Sequence, residues 1–516
     1  MPVGIAVRIG RCECSRHDNS IATALNPAEL GCGRALPRRQ RPIQNSNKLY
    51  TPLLSEVYTL VLEPQFESAD QESRMKKKEC VVIGAGLAGL AAAYRIRRHC
   101  KVTVLEARDR LGGRVLTHRF LEAPELNCEL GGEWIGNDHK EMQKLCSRLR
   151  LKLQKHQYAN SFWNQEVPAK LISPGAWCMS AEAQEIWKRF AIEFKSYKLK
   201  QWKQMDKIDW WTQLNVLGFT REDLLRRDLM DSTDFGETIR MNSAYSAATE
   251  YLTSKDQTVD ETDEMDFKVS GGNSRLIDAL ARKIGRENIR TSQAVVAIHQ
   301  HRGRVTVEVD SSSCPVSANY CVCAIPAHCL LDIDWGKNPP KRKLEAAKQL
   351  QYARITKTAV LCSERFWPKP RKGGFSVCTS LASDFCFDST YRQPGTKGIL
   401  CSYAVGDKAD DIASSPPDKL KYWIVDDVAH AHRSSWNDDK SVETALAIEQ
   451  EAWQADRFTR GAYAFYRPGQ WFTVMPALKE RFGRVLFAGE HIADWQGFME
   501  GAVQTGYDAA DEILRA

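Results

Sequence analysis

The run Cys80-Val-Val-Ile-Gly-Ala-Gly-Leu-Ala-Gly-Leu90 constrains this chain more than any other. An apolar strand runs into Gly84, Gly86 and Gly89, and Leu87, Leu90, Ala91 and Tyr94 then fall on one face of a helix. Gly84 allows a tight turn, Gly86 lets a pyrophosphate approach the backbone, and Gly89 lets helix lie close on strand, so the phosphates meet the helix N-terminus at Leu87 and Ala88. Lys101-Val-Thr-Val-Leu-Glu-Ala107 reads as the second strand. It ends on Glu106, about 20 residues past the glycines, where a carboxylate accepts hydrogen bonds from a ribose diol. A lone glycine motif is weak, but strand, helix, second strand and terminal acid in register predict a dinucleotide site in an α/β, Rossmann-like fold.

These residues leave NAD and FAD open. Arg110-Leu-Gly-Gly-Arg114 follows, then Glu129-Leu-Gly-Gly-Glu-Trp-Ile-Gly136. Two further glycine pairs, at Gly113 and at Gly131 and Gly132, suggest a second backbone approach to the same phosphates, with Arg114 offsetting their charge. Ala107, Arg108, Glu133 and Trp134 flank these turns and join the candidate binding set. Near the C-terminus, Arg484-Val-Leu-Phe-Ala-Gly-Glu-His491 reads as a buried strand opening into a loop at Gly489. Trp495-Gln-Gly-Phe-Met-Glu-Gly-Ala-Val503 leads into a final amphipathic helix carrying Val503, Tyr507, Ala510 and Leu514. The free N–H groups of that helix start would stabilise negative charge.

From about Lys76 to Ala516 the chain resembles the flavin-containing amine oxidase family, which includes monoamine oxidases, polyamine oxidases and L-amino-acid oxidases. The resemblance implies a two-domain flavoprotein of the glutathione reductase/p-hydroxybenzoate hydroxylase type, with a Rossmann-like FAD domain interleaved with an α+β substrate domain. The FAD domain is expected over 75–140, 267–331 and 455–516, and the substrate domain over 141–266 and 332–454. By resemblance Glu106 binds the adenosine ribose, Arg114 lies near the pyrophosphate and ribityl chain, Val295 contacts adenine, and Glu490 contacts the ribityl chain. The backbone from Met499 through Ala502 to Val503 faces the flavin carbonyls.

Flavin supplies the hard chemistry, so few protein groups are needed. Aromatic walls keep water out and favour partial positive charge on nitrogen. The segment Trp453-Gln-Ala-Asp-Arg-Phe-Thr-Arg-Gly-Ala-Tyr463 matches the family stretch that sets an aromatic beside the flavin, making Tyr463 one wall and adding Trp453 to the cofactor set. Phe498 takes the second cage position, in place of the tyrosine of monoamine oxidases. Ala462 stands where flavin-tethering monoamine oxidases carry cysteine, so FAD is expected to be non-covalent. Lys357, the one charged residue in Ile355-Thr-Lys-Thr-Ala-Val-Leu361, matches the family lysine that holds a water against the flavin and assists reoxidation by oxygen.

The implied reaction is oxidation of a primary or secondary amine, with oxygen as acceptor and hydrogen peroxide as product. An L-amino-acid oxidase would need an arginine for its carboxylate. In several such enzymes it follows the second glycine motif, where this chain has Trp134, although Arg240, Arg354 or another arginine could enter from a different element. L-amino-acid oxidase therefore stays open as an alternative. A desaturase or porphyrinogen oxidase on the same fold is a further one, against which Lys357 and the aromatic pair argue.

The chain of 516 residues has a net charge of +7 with Lys and Arg dispersed among acids, which points to neither nucleic acid nor an acidic partner. Its 16 cysteines form no metal quartet or disulfide framework, so no metal is expected and a reducing, cytoplasmic setting is the default. Cys12, Cys14, His17 and Cys32 are too irregular for a zinc site, and Cys321 and Cys323 read as small residues on one strand face. No apolar run is long enough to span a membrane. The chain ends after its last helix without the anchor of membrane-bound monoamine oxidases, so a soluble protein is expected, with a homodimer left open. Residues 1–74 are arginine-rich and proline-containing at first, with one short apolar run at Val57 to Leu62. They read as a disordered tail, an organellar transit peptide or an extension upstream of the true start at Met75; the position of Met75 before the first strand favours the last.

Overall fold

The first apolar strand, Lys78–Ile83, forms the centre of a five-stranded parallel sheet in the spatial order Val485–Phe487, Tyr320–Cys323, Lys78–Ile83, Cys100–Leu105, Ile289–Arg290. The computed structural model describes residues 77–163, 170–171, 179–252, 265–311, 314–370, 373–431 and 442–516, all of which belong to one compact unit. The tail, its cysteines and Met75 lie outside the described residues. Parallel strands are buried on both faces and therefore read as continuous apolar runs. Val81 and Val82 are accordingly fully buried, as are Cys321 and Cys323, which are unoxidised and packed in one apolar cluster.

Helix Leu87–Ile96 returns across this sheet, and Gly89 sets the closeness of the crossing: a Cβ there would lie 2.0 Å from the Gly84 carbonyl oxygen. The last helix, Met499–Arg515, packs on it through Gly506, whose Cβ would lie 2.4 Å from the Ala88 oxygen. Its buried stripe runs through Val503, Tyr507 and Ala510, then onto Ile513. Leu514, expected on that stripe, keeps the helical spacing but is 39% exposed, because it lies in the last turn beside exposed Arg515 and Ala516.

Val295–His301 and Arg304–Val309 form a hairpin whose two turn residues, Arg302 and Gly303, both have positive φ, the conformation of a tight two-residue turn. A separate seven-stranded sheet takes its strands from Tyr158–Trp163, Lys170–Leu171, Ile355–Cys362, Gly374–Thr379, Phe385–Asp388, Gly398–Val405 and Ala445–Ala452. Ile355–Cys362 is an interior strand, second in the sheet, paired on both sides and buried along its length. Helix Arg221–Phe235 is capped by the Thr220 hydroxyl and stopped by Gly236, where a Cβ would strike Ala353 at 2.2 Å. That contact pins the C-terminal end of the helix beside the entry to the Ile355 strand.

Candidate active site

One elongated cavity of about 670 Å³ runs from the end of the parallel sheet to the seven-stranded sheet. Its first part is backbone. Gly84 has φ +95°, and a Cβ there would come within 2.9 Å of the Ala324 oxygen, so only glycine makes this turn. At Gly86 a Cβ would meet nothing within 4 Å, because this glycine faces open cavity. Gly86 is the N-cap of its helix and gives it no side-chain cap, which leaves the first-turn N–H groups free to bind an anion. Gly113 comes up against it, its Cβ position 3.3 Å from Gly86 Cα. Glu106 is buried and tied in place, accepting from the Ala85 N–H at 2.6 Å and the Arg108 N–H at 2.9 Å. Arg108 is paired with Asp456, and Ala107 and Val295 complete this end.

Farther in, Arg114 Nη1 donates to Glu490 Oε1 at 2.8 Å. Glu490, which the resemblance placed on the ribityl chain, also accepts from Gly497 N at 2.9 Å and Ala464 N at 3.3 Å. Gly131 packs its backbone against that of Arg114, and Gly132 lies against Met499. The last helix starts here with Phe498 as N-cap and again no side-chain cap. Phe498, Met499 and Ala502 line the cavity, so two uncapped helix N-termini face the same space. Trp453 is held by donation to the Leu130 oxygen at 2.9 Å, and Gly489 lies on the lining.

The inner end is aromatic. Lys357 Nζ sits 5.7 Å from the Phe387 ring and 5.8 Å from the Tyr403 ring. It donates to Glu133 Oε2 at 2.5 Å and to the Gly131 oxygen at 3.3 Å. Burial works against its charge, but Glu133 and its neighbours outweigh that and hold the ammonium above its ordinary pKa. Tyr463 donates to the carbonyl oxygens of Thr233, at 2.9 Å, and Asp234, and accepts from the Tyr403 hydroxyl at 3.3 Å. Gly497 lies flat on the Tyr463 ring, where a Cβ would be 2.9 Å from Cδ2. Phe498 is fixed edge-on by His139 and Trp495, with centroids 5.1 and 5.7 Å away.

Every residue assigned to the site from sequence lines this cavity except Gly89, which serves the helix–strand contact. Sequence reasoning missed the wall made by Met230, Thr233 and Asp234 of one helix, and the pair Phe387 and Tyr403. It also missed Lys268, which donates to Glu133 at 2.6 Å and stands 4.1 Å over the Trp134 ring. Lys268 follows Phe267 in a short strand just before Ser270-Gly-Gly-Asn-Ser-Arg-Leu276, the start of a helix, and neither marks it as a partner of Glu133; the fold brings the two together. Neither Arg240, exposed over Trp211, nor Arg354, bound to Glu237, Asp407 and Asp410, lines the cavity.

The sequence profile of flavin containing amine oxidoreductases matches residues 87–514. The chain belongs to this family. Its cofactor is FAD, and it is an oxidoreductase acting on amines. Among curated relatives of this family it is 24% identical to a probable flavin-containing monoamine oxidase A of Dictyostelium discoideum, covering 84% of this chain and 97% of that protein. It is 25% identical to an L-amino-acid oxidase of Echis ocellatus, over 88% and 95% of the two chains. Among solved structures, wild-type putrescine oxidase bound to putrescine superposes with a TM-score of 0.74 at 21% identity, over 86% of this chain and all (100%) of that one. Cyclohexylamine oxidase from Brevibacterium oxydans gives 0.73 at 21%, over 85% and 99%. These superpositions establish the shared fold. The cavity also fits FAD on its own terms, since Gly86 is open where a diphosphate needs the backbone and both helix N-termini offer unpaired donors.

Among the described residues no helix is long and apolar enough to cross a membrane, and no cluster of side chains could hold a metal ion.

Proposed function

We propose that the protein oxidises the C–N bond of a primary or secondary amine that carries no carboxylate, passing electrons through FAD to oxygen. The products are hydrogen peroxide and an imine, which hydrolyses to an aldehyde or ketone. The observation carrying this reading is the charge of the inner cavity. Its walls are aromatic and sulfur-bearing, and its one lining cation near Phe387 and Tyr403, Lys357, is already neutralised by Glu133. Three of the arginines that line the cavity, Arg108, Arg114 and Arg460, are bound to Asp456, Glu490 and Asp332. A substrate carboxylate bound by any of these three would have to displace its acid at a cost, and the fourth, Arg457, lies over the Phe458 ring.

Residues 75–140, 267–331 and 455–516 serve as the cofactor-binding part, with 141–266 and 332–454 forming the substrate part. Gly84, Gly86, Leu87 and Ala88 would hold the diphosphate, Glu106 the ribose, and the start of the last helix the flavin carbonyls. FAD, when bound, would supply the hydride acceptor and the route for electrons to oxygen. Tyr463 and Phe498 confine the neutral amine and exclude water, and Lys357 offers positive charge where oxygen is reduced. Ala462 lines the cavity with a methyl group, which cannot form a thioether, so FAD is held without a covalent bond.

The test is to precipitate the holoenzyme with acid, follow the yellow colour, and assay peroxide against amines and amino acids. Free FAD in the supernatant and peroxide from amines alone support the reading. Colour in the pellet contradicts non-covalent binding, and peroxide from amino acids alone favours the L-amino-acid oxidase reading suggested by relatives such as the Echis enzyme.

A further inference from the structure

Glu133 joins two lysines through different oxygens: Oε2 accepts from Lys357 at 2.5 Å and Oε1 from Lys268 at 2.6 Å. The array is buried, with side-chain exposures of 5% for Lys357, 1% for Glu133 and 15% for Lys268. Lys357 lines the reaction cavity, whereas Lys268 lines a second cavity of about 40 Å³.

That second chamber is polar. Glu129, His156 and Ser389 line it, and among the described residues both ring nitrogens of His156 and the Ser389 hydroxyl are buried without a partner. Buried polar atoms in native proteins almost always find a partner, and a polar space of this size admits on the order of two or three waters. Its rim, at Gln154, Gly271 and Tyr391, is only half-buried, so the chamber reaches toward solvent. Lys268 is steadied between the two spaces by the face of Trp134.

Oxygen reduction consumes a proton, and the part of the reaction cavity around Lys357 is walled largely by the aromatic rings of Phe387 and Tyr403. The two-electron-reduced cofactor anion, FADH⁻, and O₂ give FAD and H₂O₂ only with one further proton. We propose that Lys268 is a positioning residue that resupplies this proton to Lys357 through Glu133, drawing it from the polar chamber. In the balanced step an N–H bond of Lys357 breaks as an O–H bond of the peroxide forms, while both electrons come from the reduced cofactor. Glu133 takes a proton from Lys268 on Oε1 and, after its carboxyl group turns, delivers it to Lys357. Water in the chamber then reprotonates Lys268, and the array regains its starting charge. This inference rests on the reading that Lys357 faces the cofactor.

A lysine that only balanced the charge of Glu133 would be replaceable by arginine, which keeps the charge and the hydrogen bond but holds its protons. The experiment therefore uses Lys268→Met and Lys268→Arg holoenzymes, reduced anaerobically with amine and mixed with oxygen in H₂O and in D₂O. Both variants are expected to lower the reoxidation rate constant at least tenfold and to increase its solvent isotope effect, with anaerobic reduction within twofold of wild type. Lys268→Arg reoxidising at the wild-type rate would overturn the relay and leave a charge partner. Should the Lys268 variants lose FAD, His156→Phe, which closes the chamber, is expected to reproduce the slow, isotope-sensitive reoxidation, and a normal rate there overturns the proposal. Lys357→Met separates the two layers: wild-type reoxidation would remove Lys357 itself, whereas a slow Lys357→Met beside a normal Lys268→Arg sinks only the relay.

Discussion

Arg114 and Glu490, 376 positions apart in sequence, are joined by an Nη1 to Oε1 hydrogen bond of 2.8 Å on the wall of the cavity. The other Glu490 oxygen takes the N–H of Gly497, so one carboxylate anchors both the arginine and the loop that lies on Tyr463. Breaking a buried pair by removing one partner costs about 3–5 kcal/mol, because the other charge is left uncompensated. Bound phosphate restores part of that compensation. Glu490→Ala is therefore expected to lower the melting temperature of the FAD-free protein more than that of the holoprotein, in paired thermal denaturation. An equal drop would separate Arg114 from the cofactor.

Two glycines three residues apart should fail in different ways. A side chain at Gly86 meets nothing in the protein but fills the space facing the first-turn N–H groups, so Gly86→Val is expected to fold and to purify colourless. A side chain at Gly89 would drive into the Gly84 carbonyl at 2.0 Å, so Gly89→Val is expected to lose the fold itself. Circular dichroism with flavin absorbance distinguishes these outcomes, and a yellow Gly86→Val would move the phosphates elsewhere.

The difference between these glycines also explains what was legible in the sequence. Strand, turn, helix and acid between Cys80 and Glu106 act within one short segment, so spacing alone carries their geometry. The apolar runs at Ile355 and Val485 likewise report strands buried on both sides. Lys268, Asp234 and Tyr403 have no such local signal. Their neighbourhoods are ordinary: Asp234 and Tyr403 reach the cavity because a helix end is pinned on Ala353 and because Gly398–Val405 pairs with the strand bearing Lys357, and Lys268 reaches Glu133 from a separate short strand. The missed end position at Leu514 has a different origin: its spacing is right, but it falls in the last turn, where the neighbouring residues Arg515 and Ala516 are exposed as well.

His139 should make the site acid-sensitive. It is completely buried, and burial pushes its pKa down from 6.5 to about 4. Its Nδ1 accepts from Gly136 N at 2.8 Å, so the ring is held neutral against Phe498. A folded pKa below the unfolded one means that the folded state binds fewer protons between pH 6.5 and 4. Stability from this group is full above 6.5 and is lost as pH falls toward 4, by on the order of 3 kcal/mol. His139→Gln keeps an acceptor for Gly136 but does not titrate, so its stability is expected to fall less steeply than wild type across that window in urea unfolding. Parallel slopes would contradict the assignment.

Tyr463 separates the function of a hydroxyl from that of a wall. The hydroxyl is spent on the Thr233 and Asp234 carbonyls at the end of a helix, and a neutral hydrogen bond of this kind contributes about 0.5–1.5 kcal/mol. The ring face, in contrast, lies under Gly497 and borders the cavity. Tyr463→Phe keeps the face, so anaerobic reduction of FAD by amine is expected to slow less than tenfold. Tyr463→Ala removes the wall and admits water, and the same step is expected to slow by a hundredfold or so, the scale of catalytic misplacement. Stopped-flow reduction at saturating amine reads both. Equal losses in the two variants would mean that the hydroxyl, through its hold on the helix end, matters more than the aromatic surface.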